Sequence, residues 1–134
     1  MVDTYKVTDF MSKVPAFVDP ESDLHSVLTK MLKFDLKEIP VIDNHIKVKS
    51  FVTKKSIFKY FNRLEKMSIS DILDESNSGI IAYPDSDLNE IYLIMTNLGI
   101  SCIPVVKNPW NKRLMGFLRI KRLEKAFKKN VVIA

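Results

Sequence analysis

PESDLHSVLTKMLKFDLKEIPV, residues 20–41, is answered 64 positions later by PDSDLNEIYLIMTNLGISCIPV, residues 84–105. Eight of the 22 aligned pairs are identical, including Pro20 with Pro84, Asp23 with Asp87, Leu24 with Leu88 and Met31 with Met95. Ile39-Pro-Val41 and Ile103-Pro-Val105 close the two copies. A unit of about 60 residues buries its apolar face poorly alone, so two related units are expected to pack face to face. Such packing would create two equivalent clefts at the seam.

Each copy reads as strand, helix, strand, strand, helix. Phe17-Val-Asp19 and Ile80-Ile-Ala-Tyr83 are short apolar runs stopped by Pro20 and Pro84. Ser22 or Asp23 can cap the helix that follows, in which Leu24, Val27, Leu28 and Met31 fall at i, i+3, i+4 and i+7. In the second copy Asp87 with Glu90 resembles a capping box, Leu88, Ile91, Tyr92 and Met95 form the stripe, and Gly99 ends it. Ile39-Pro-Val-Ile42 and Ile103-Pro-Val-Val106 have the unbroken apolar character of strands buried on both faces. Asp43-Asn-His45 predicts a tight turn into a strand over Ile46–Val52. Lys107–Arg113 predicts a longer turn into Leu114–Leu118, which moves the offset to 66 and aligns Phe51 with Phe117. Closing amphipathic helices are expected through Ile57, Phe58, Phe61 and Leu64, and through Leu123, Ala126 and Phe127. The copies are bounded at 7–66 and 67–129, leaving 130–134 as a C-terminal tail.

The chain has 134 residues, 46% hydrophobic and 28% charged, with six Pro and three Gly. That composition suits one compact soluble body. It contains no apolar run of about 18 residues, so no membrane partner is expected. Asp3, Lys6 and Asp9 interrupt any apolar leader, and Cys102 is the one cysteine. Both point to an unexported, cytoplasmic protein with a buried structural thiol.

The net charge of +5 is unevenly spread. Residues 67–106 hold acids and no Lys or Arg, whereas Lys107–Lys129 holds nine Lys or Arg against Glu124. Lys47–Lys66 repeats the bias, with seven cations against Glu65. These basic runs are either solvated helix faces or surfaces turned toward anions. Catalysis finds little support. His25 and His45 lack partners at metal-ligand spacing, and Gly79, Gly99 and Gly116 stand alone rather than in a phosphate loop. No nucleophile with its base can be assembled, and an enzyme is not expected.

The duplicated Pro-x-Ser-Asp-Leu, Met and Ile-Pro-Val series, followed by a hairpin, resembles a tandem pair of CBS domains (a Bateman module) over residues 7–127. The resemblance implies an α/β (α+β) fold of two βαββα repeats packed about a pseudo-two-fold axis as one module, often joined with a second copy into a disc-shaped homodimer. It also implies a ligand sensor without a reaction, needing no cofactor but taking AMP, ADP, ATP or S-adenosylmethionine in its clefts. The family's ligand run is Gly-hydrophobic-x-Thr/Ser-x-x-Asp, whose Thr or Ser meets phosphate and whose Asp accepts ribose hydroxyls. Here the first copy reads Ser50-Phe-Val-Thr53-Lys-Lys-Ser56, keeping Thr53 and placing Ser56 where the Asp would stand. The second reads Gly116-Phe-Leu-Arg119-Ile-Lys-Arg122, with neither.

A carboxylate accepts two hydrogen bonds from a vicinal diol, and losing such a pair costs about 1.5–3 kcal/mol, roughly ten- to a hundredfold in affinity. Arginine has donors and no acceptor, so Arg119, Lys121 and Arg122 could clamp phosphate but not ribose. Lys55, beside Lys54, repeats that basic first turn. By resemblance the apolar walls would be Pro15, Ala16 and Phe17 with Ile39 and Pro40, and Ile80, Ile81 and Ala82 with Ile103 and Pro104. Core packing explains these residues equally well.

The expected function is a stand-alone regulatory module that binds an anionic, adenosine-nucleotide-like ligand and signals in trans to an effector protein. A nucleic-acid-binding protein is the second reading, since Trp110 and Tyr60 lie close in sequence to cations. A ligand-free scaffold, with Val131–Ala134 packing on a partner, is the third.

Overall fold

The computed structural model describes residues 5–13, 17–75 and 79–131. Its chain divides into two compact units: residues 15–79 form one, and 1–14 join 80–134 in the other. The units are thus offset from the sequence repeats: residues 7–14 belong to the unit that holds most of the second repeat, and 67–79 to the unit that holds most of the first.

In the 15–79 unit, helix α2 (Leu24–Lys33) follows an N-cap Asp23, whose carboxylate accepts from the Ser26 N–H at 2.8 Å and the Ser26 hydroxyl at 2.8 Å. Leu24, Val27, Leu28 and Met31 are its buried face, as the 3.6-residue spacing predicts. Strands β1 (Glu38–Ile42) and β2 (Val48–Thr53) pair antiparallel, with Ile39 opposite Val52 and Pro40 opposite Phe51. Asp43 holds their turn, accepting from the His45 and Lys47 N–H groups, and Ile46 adopts φ 61°. That left-handed residue delays the strand, expected from Ile46, until Val48. The expected first strand reduces to one parallel bridge between Val18 and Val41.

The closing helix departs most from expectation. Helix α3 covers only Lys54–Phe58, and the chain continues as 3-10 turns over Phe61–Lys66 and Ile69–Glu75. The α-helical path ends at Phe58, Arg63 at φ −134° kinks the 3-10 segment that follows, and Ile57 and Leu64 are buried while Phe58 and Phe61 are exposed.

In the other unit, α1 (Val7–Phe10) precedes a bridge in which Ser12 and Phe117 exchange both backbone hydrogen bonds, at 2.7 and 2.8 Å. Helix α4 (Leu88–Leu98) is capped by Asp87, which accepts from the Asn89 and Glu90 N–H groups. Gly99 at φ 66° ends it in the left-handed conformation that glycine adopts without a Cβ penalty. Ala82 bridges Val105, again a single bridge in place of the expected strand.

Strands β3 (Cys102–Asn108) and β4 (Asn111–Arg119) lead into α5 (Ile120–Val131). The predicted long turn at 107–113 is instead a longer hairpin whose tip is Pro109-Trp110. The Asn108 side chain accepts from the Trp110 and Asn111 N–H groups at 2.9 and 2.7 Å, an Asx turn with proline in its favoured place. Val7, Leu88, Ile91, Met95, Ile103, Leu118, Leu123 and Phe127 are among the buried residues of this unit's core. Both histidines are exposed.

Two stability predictions arise here. Hydrogen bonds from Ser26 hold the Asp23 carboxyl below its ordinary value of 3.8. Its lowered folded-state pKa makes this stabilisation complete above 3.8 and lost as the pH falls through that lower value. Asp23→Ala is expected to cost about 1 kcal/mol near neutral pH, and urea titrations should show the gap closing in acid. The Ser50 hydroxyl is buried with no hydrogen-bond partner among the described residues. Ser50→Ala is therefore expected to raise stability by about 1 kcal/mol, and a lowered urea midpoint would count against that assignment.

Candidate functional site

The two strand-to-helix junctions are built alike. At the end of β2 the Lys54 N–H donates to the Lys37 carbonyl at 2.9 Å, and at the end of β4 the Ile120 N–H donates to the Ser101 carbonyl at 2.9 Å. These pairs are repeat equivalents, so the same backbone bond starts both helices.

In the 15–79 unit, Thr53 caps α3: its Oγ1 accepts from the Ser56 N–H at 3.1 Å and lies 2.9 Å from the Ser56 hydroxyl. Either hydroxyl can be the donor there, which leaves the pair one proton and lone pairs to offer an incoming group. Both side chains are half-buried, and Lys55 is exposed beside them. Pro40 and Ile39 are buried on β1, and the Pro40 carbonyl accepts from the Val18 N–H at 3.0 Å. Phe17 is half-buried. Its carbonyl accepts from the Lys30 ammonium at 3.0 Å, and that ammonium lies 5.8 Å from the Phe17 ring centroid. Pro15 and Ala16 lie outside the described residues.

In the second unit, Arg119 holds the position of Thr53. Arginine cannot accept a hydrogen bond, so this first turn carries Arg119, Lys121 and Arg122 in place of a hydroxyl cap. Arg119 is half-buried and the other two are exposed. Ala82, Ile103 and Pro104 are buried, whereas Ile80 and Ile81 are half-buried. The Ala82 N–H donates to the Pro104 carbonyl, and the Ala82 carbonyl accepts from the Val106 N–H, both at 3.0 Å.

Register adds two residues that the repeat alone does not single out. Glu38 lies opposite Thr53, and its repeat equivalent Cys102 lies opposite Arg119. Burial pushes the Cys102 thiol up to about 11, while the nearby Arg119 charge acts in the opposite direction. A thiol so rarely ionised is a packing group rather than a nucleophile. Glu38 puts a carboxylate on the strand opposite Thr53, in the copy that has Ser56 where the resemblance implies an Asp. The strand pairing, once known, is the signal that finds it. Among the described residues, no three His, Cys, Asp or Glu side chains group as metal ligands, and no helix is long and apolar enough to cross a membrane.

A duplicated α/β unit with the same backbone bond at each strand-to-helix junction defines a tandem-repeat module. The chain belongs to the CBS domain family, whose pattern matches residues 7–63 and again 69–129. It is 23% identical over 121 residues to the L-aspartate semialdehyde sulfurtransferase of Methanocaldococcus jannaschii, covering 90% of this chain and 23% of that protein. The chain therefore spans about a quarter of that relative's length. The CBS domain pair of protein MJ0100, solved with 5'-methylthioadenosine and S-adenosyl-L-methionine, is similar at TM-score 0.67 and 22% identity, covering 93% of this chain and 97% of that one. CBSX2, solved with AMP, is similar at TM-score 0.68 and 19% identity, covering 93% and 97%.

Proposed function

We propose that this chain is a non-catalytic regulatory module that binds an anionic adenosine-type ligand at its strand-to-helix junctions and passes occupancy to an effector protein. The observation that carries this reading is the pair of equivalent junctions, one presenting Thr53, Lys55 and Ser56, the other Arg119, Lys121 and Arg122. Relatives solved with AMP and with S-adenosyl-L-methionine support the adenosine class.

The two sites are unequal. Thr53 and Ser56, with Glu38 across the strand, suit hydroxyl-bearing groups as well as phosphate. The Arg119 junction offers donors alone and suits phosphate. Phe17 and Pro40 in one unit would flank a planar base there, and Ile80, Ile81 and Pro104 would do so in the other. No cofactor is needed for this role. The buried Cys102 thiol fits a reducing, cytoplasmic setting.

A homodimer is part of the proposal, because Leu93 and Leu98 of α4 expose apolar surface that a second copy could cover. Native mass spectrometry of freshly purified protein tests ligand and assembly together. Retained adenosine-type mass on a dimer is the expected result, and a bare monomer would contradict both parts.

One observation favours a second reading. Trp110 is 90% exposed at the β3–β4 tip, with Lys107, Lys112 and Arg113 in the adjoining strands. Such a tip could stack on a base of single-stranded nucleic acid. Binding that falls steeply with salt would support it, and absence of binding at low salt would dismiss it.

A further inference from the structure

Repeat-equivalent residues close one unit and leave a trough in the other. In the second unit Tyr92 of α4 and Phe127 of α5 stack with centroids 4.2 Å apart and planes 14° apart. In the 15–79 unit the same repeat positions hold Leu28 and Phe61. Leucine supplies no ring to stack, and the helix that would carry Phe61 inward breaks after Phe58. Phe61 turns outward to 64% exposure, lying 6.5 Å from the Phe58 ring, and Leu32 beside it is 60% exposed.

The result is a trough of about 480 Å3 between α2 and the Phe61–Lys66 turn, open along one side. Leu28, Leu32, Phe61 and Leu64 are its apolar residues, and Arg63 and Lys66 are its cations, with His25 at one wall. Glu65 is the one carboxylate that lines it. Binding sites fall at about 300–1,000 Å3, so the volume is adequate. Its open side suits an elongated occupant better than an enclosed small molecule.

We propose that this trough takes an amphipathic helix of a partner protein, with leucine-type anchors on one face and Asp or Glu along its flanks. An apolar floor between two helical walls receives a helix through anchors at i, i+3, i+4 and i+7. Charge selects the flanks. The Phe61–Lys66 wall carries Arg63 and Lys66 against Glu65, so an acidic helix is steered in. A second copy docking the same face about a two-fold axis would instead bring like-charged walls together. Docking here concerns output and rests on the reading of the chain as a regulator acting on a partner. It uses none of the ligand residues, so each reading can fail separately.

The test is fluorescence anisotropy with a labelled helix of about 15 residues bearing that leucine spacing and Glu flanks, beside a twin with Lys flanks. The Glu form is expected to bind at least tenfold tighter than the Lys form. Leu28→Tyr, which supplies the missing ring, and Phe61→Glu should each weaken it at least tenfold with thermal melting unchanged. Should Leu28→Tyr fail to fold, Phe61→Glu and Leu32→Glu, both at exposed positions, carry the comparison. No binding of the Glu form, equal binding of both forms, or variants that bind normally would overturn the proposal. So would Leu32→Glu converting a dimer to a monomer in sedimentation, since that would assign the trough to a second copy. Peptide binding by protein that takes no nucleotide would leave this proposal standing and remove the ligand reading alone.

Discussion

Phe51→Ala and Phe117→Ala are each expected to remove about 3–5 kcal/mol of folding free energy, the range for a fully buried aromatic truncated in a packed core. The two are repeat equivalents on β2 and β4, at 1% and 2% exposure. Each sits where its hairpin meets a lead-in segment. Phe117 exchanges backbone bonds with Ser12, and a Cβ on Gly79 would come within 2.7 Å of the Phe51 ring. Neither surrounding can collapse without disturbing that packing, so the cavity should persist. A domain has about 5–15 kcal/mol to lose, and either variant should show a large fall in urea midpoint. A loss below about 1 kcal/mol would mean that these rings do not anchor their units.

The second large effect concerns ligand. Arg119→Ala with Arg122→Ala should weaken ATP and AMP roughly ten- to a hundredfold for each charge-assisted hydrogen bond removed, at about 1.5–3 kcal/mol apiece. The uncharged 5'-methylthioadenosine carries no phosphate, so its affinity should change little. Calorimetric titration of the three ligands separates these outcomes. Equal weakening of all three would mean the arginines act through structure rather than phosphate recognition.

The fold is legible where one residue type answers one backbone demand. Asp23 and Asp87 are readable as helix starts because a carboxylate satisfies the first N–H groups, and Gly99 as a stop because its φ is positive. The apolar Ile-Pro-Val runs announce β1 and β3 through their burial. The break after Phe58 is not readable. Ile57, Phe58, Phe61 and Leu64 keep helical spacing, and only the end of α3 at Phe58 in the structure shows that two of the four leave the core. The β3–β4 hairpin is hidden for a related reason. Polar residues 107–113 look like a turn, yet strand pairing persists to Asn108 and Asn111 around a two-residue tip.

The site is legible as far as the repeat reaches. Comparing the two motif runs locates Thr53, Ser56, Arg119 and Arg122, which stand at equivalent strand-to-helix junctions. Glu38 is invisible to that comparison because it enters from the opposite strand, 15 residues earlier in the chain than Thr53. The trough at Leu28 and Phe61 needs both the register of the repeats and the ring stack of Tyr92 on Phe127. Periodicity marks which side chains turn inward, but it does not tell whether an inward face is filled.

Recognition of an adenosine-type anion at the junctions is the central claim. Thermal melting of the intact chain with AMP, ADP, ATP, S-adenosylmethionine and 5'-methylthioadenosine tests that most directly. Saturating a ligand at a hundred times its Kd should add about 2.7 kcal/mol, a shift of several degrees. At least one phosphate-bearing ligand is expected to raise the melting temperature, and Arg119→Ala with Arg122→Ala to reduce the rise. An unchanged melting temperature with all five would contradict that recognition.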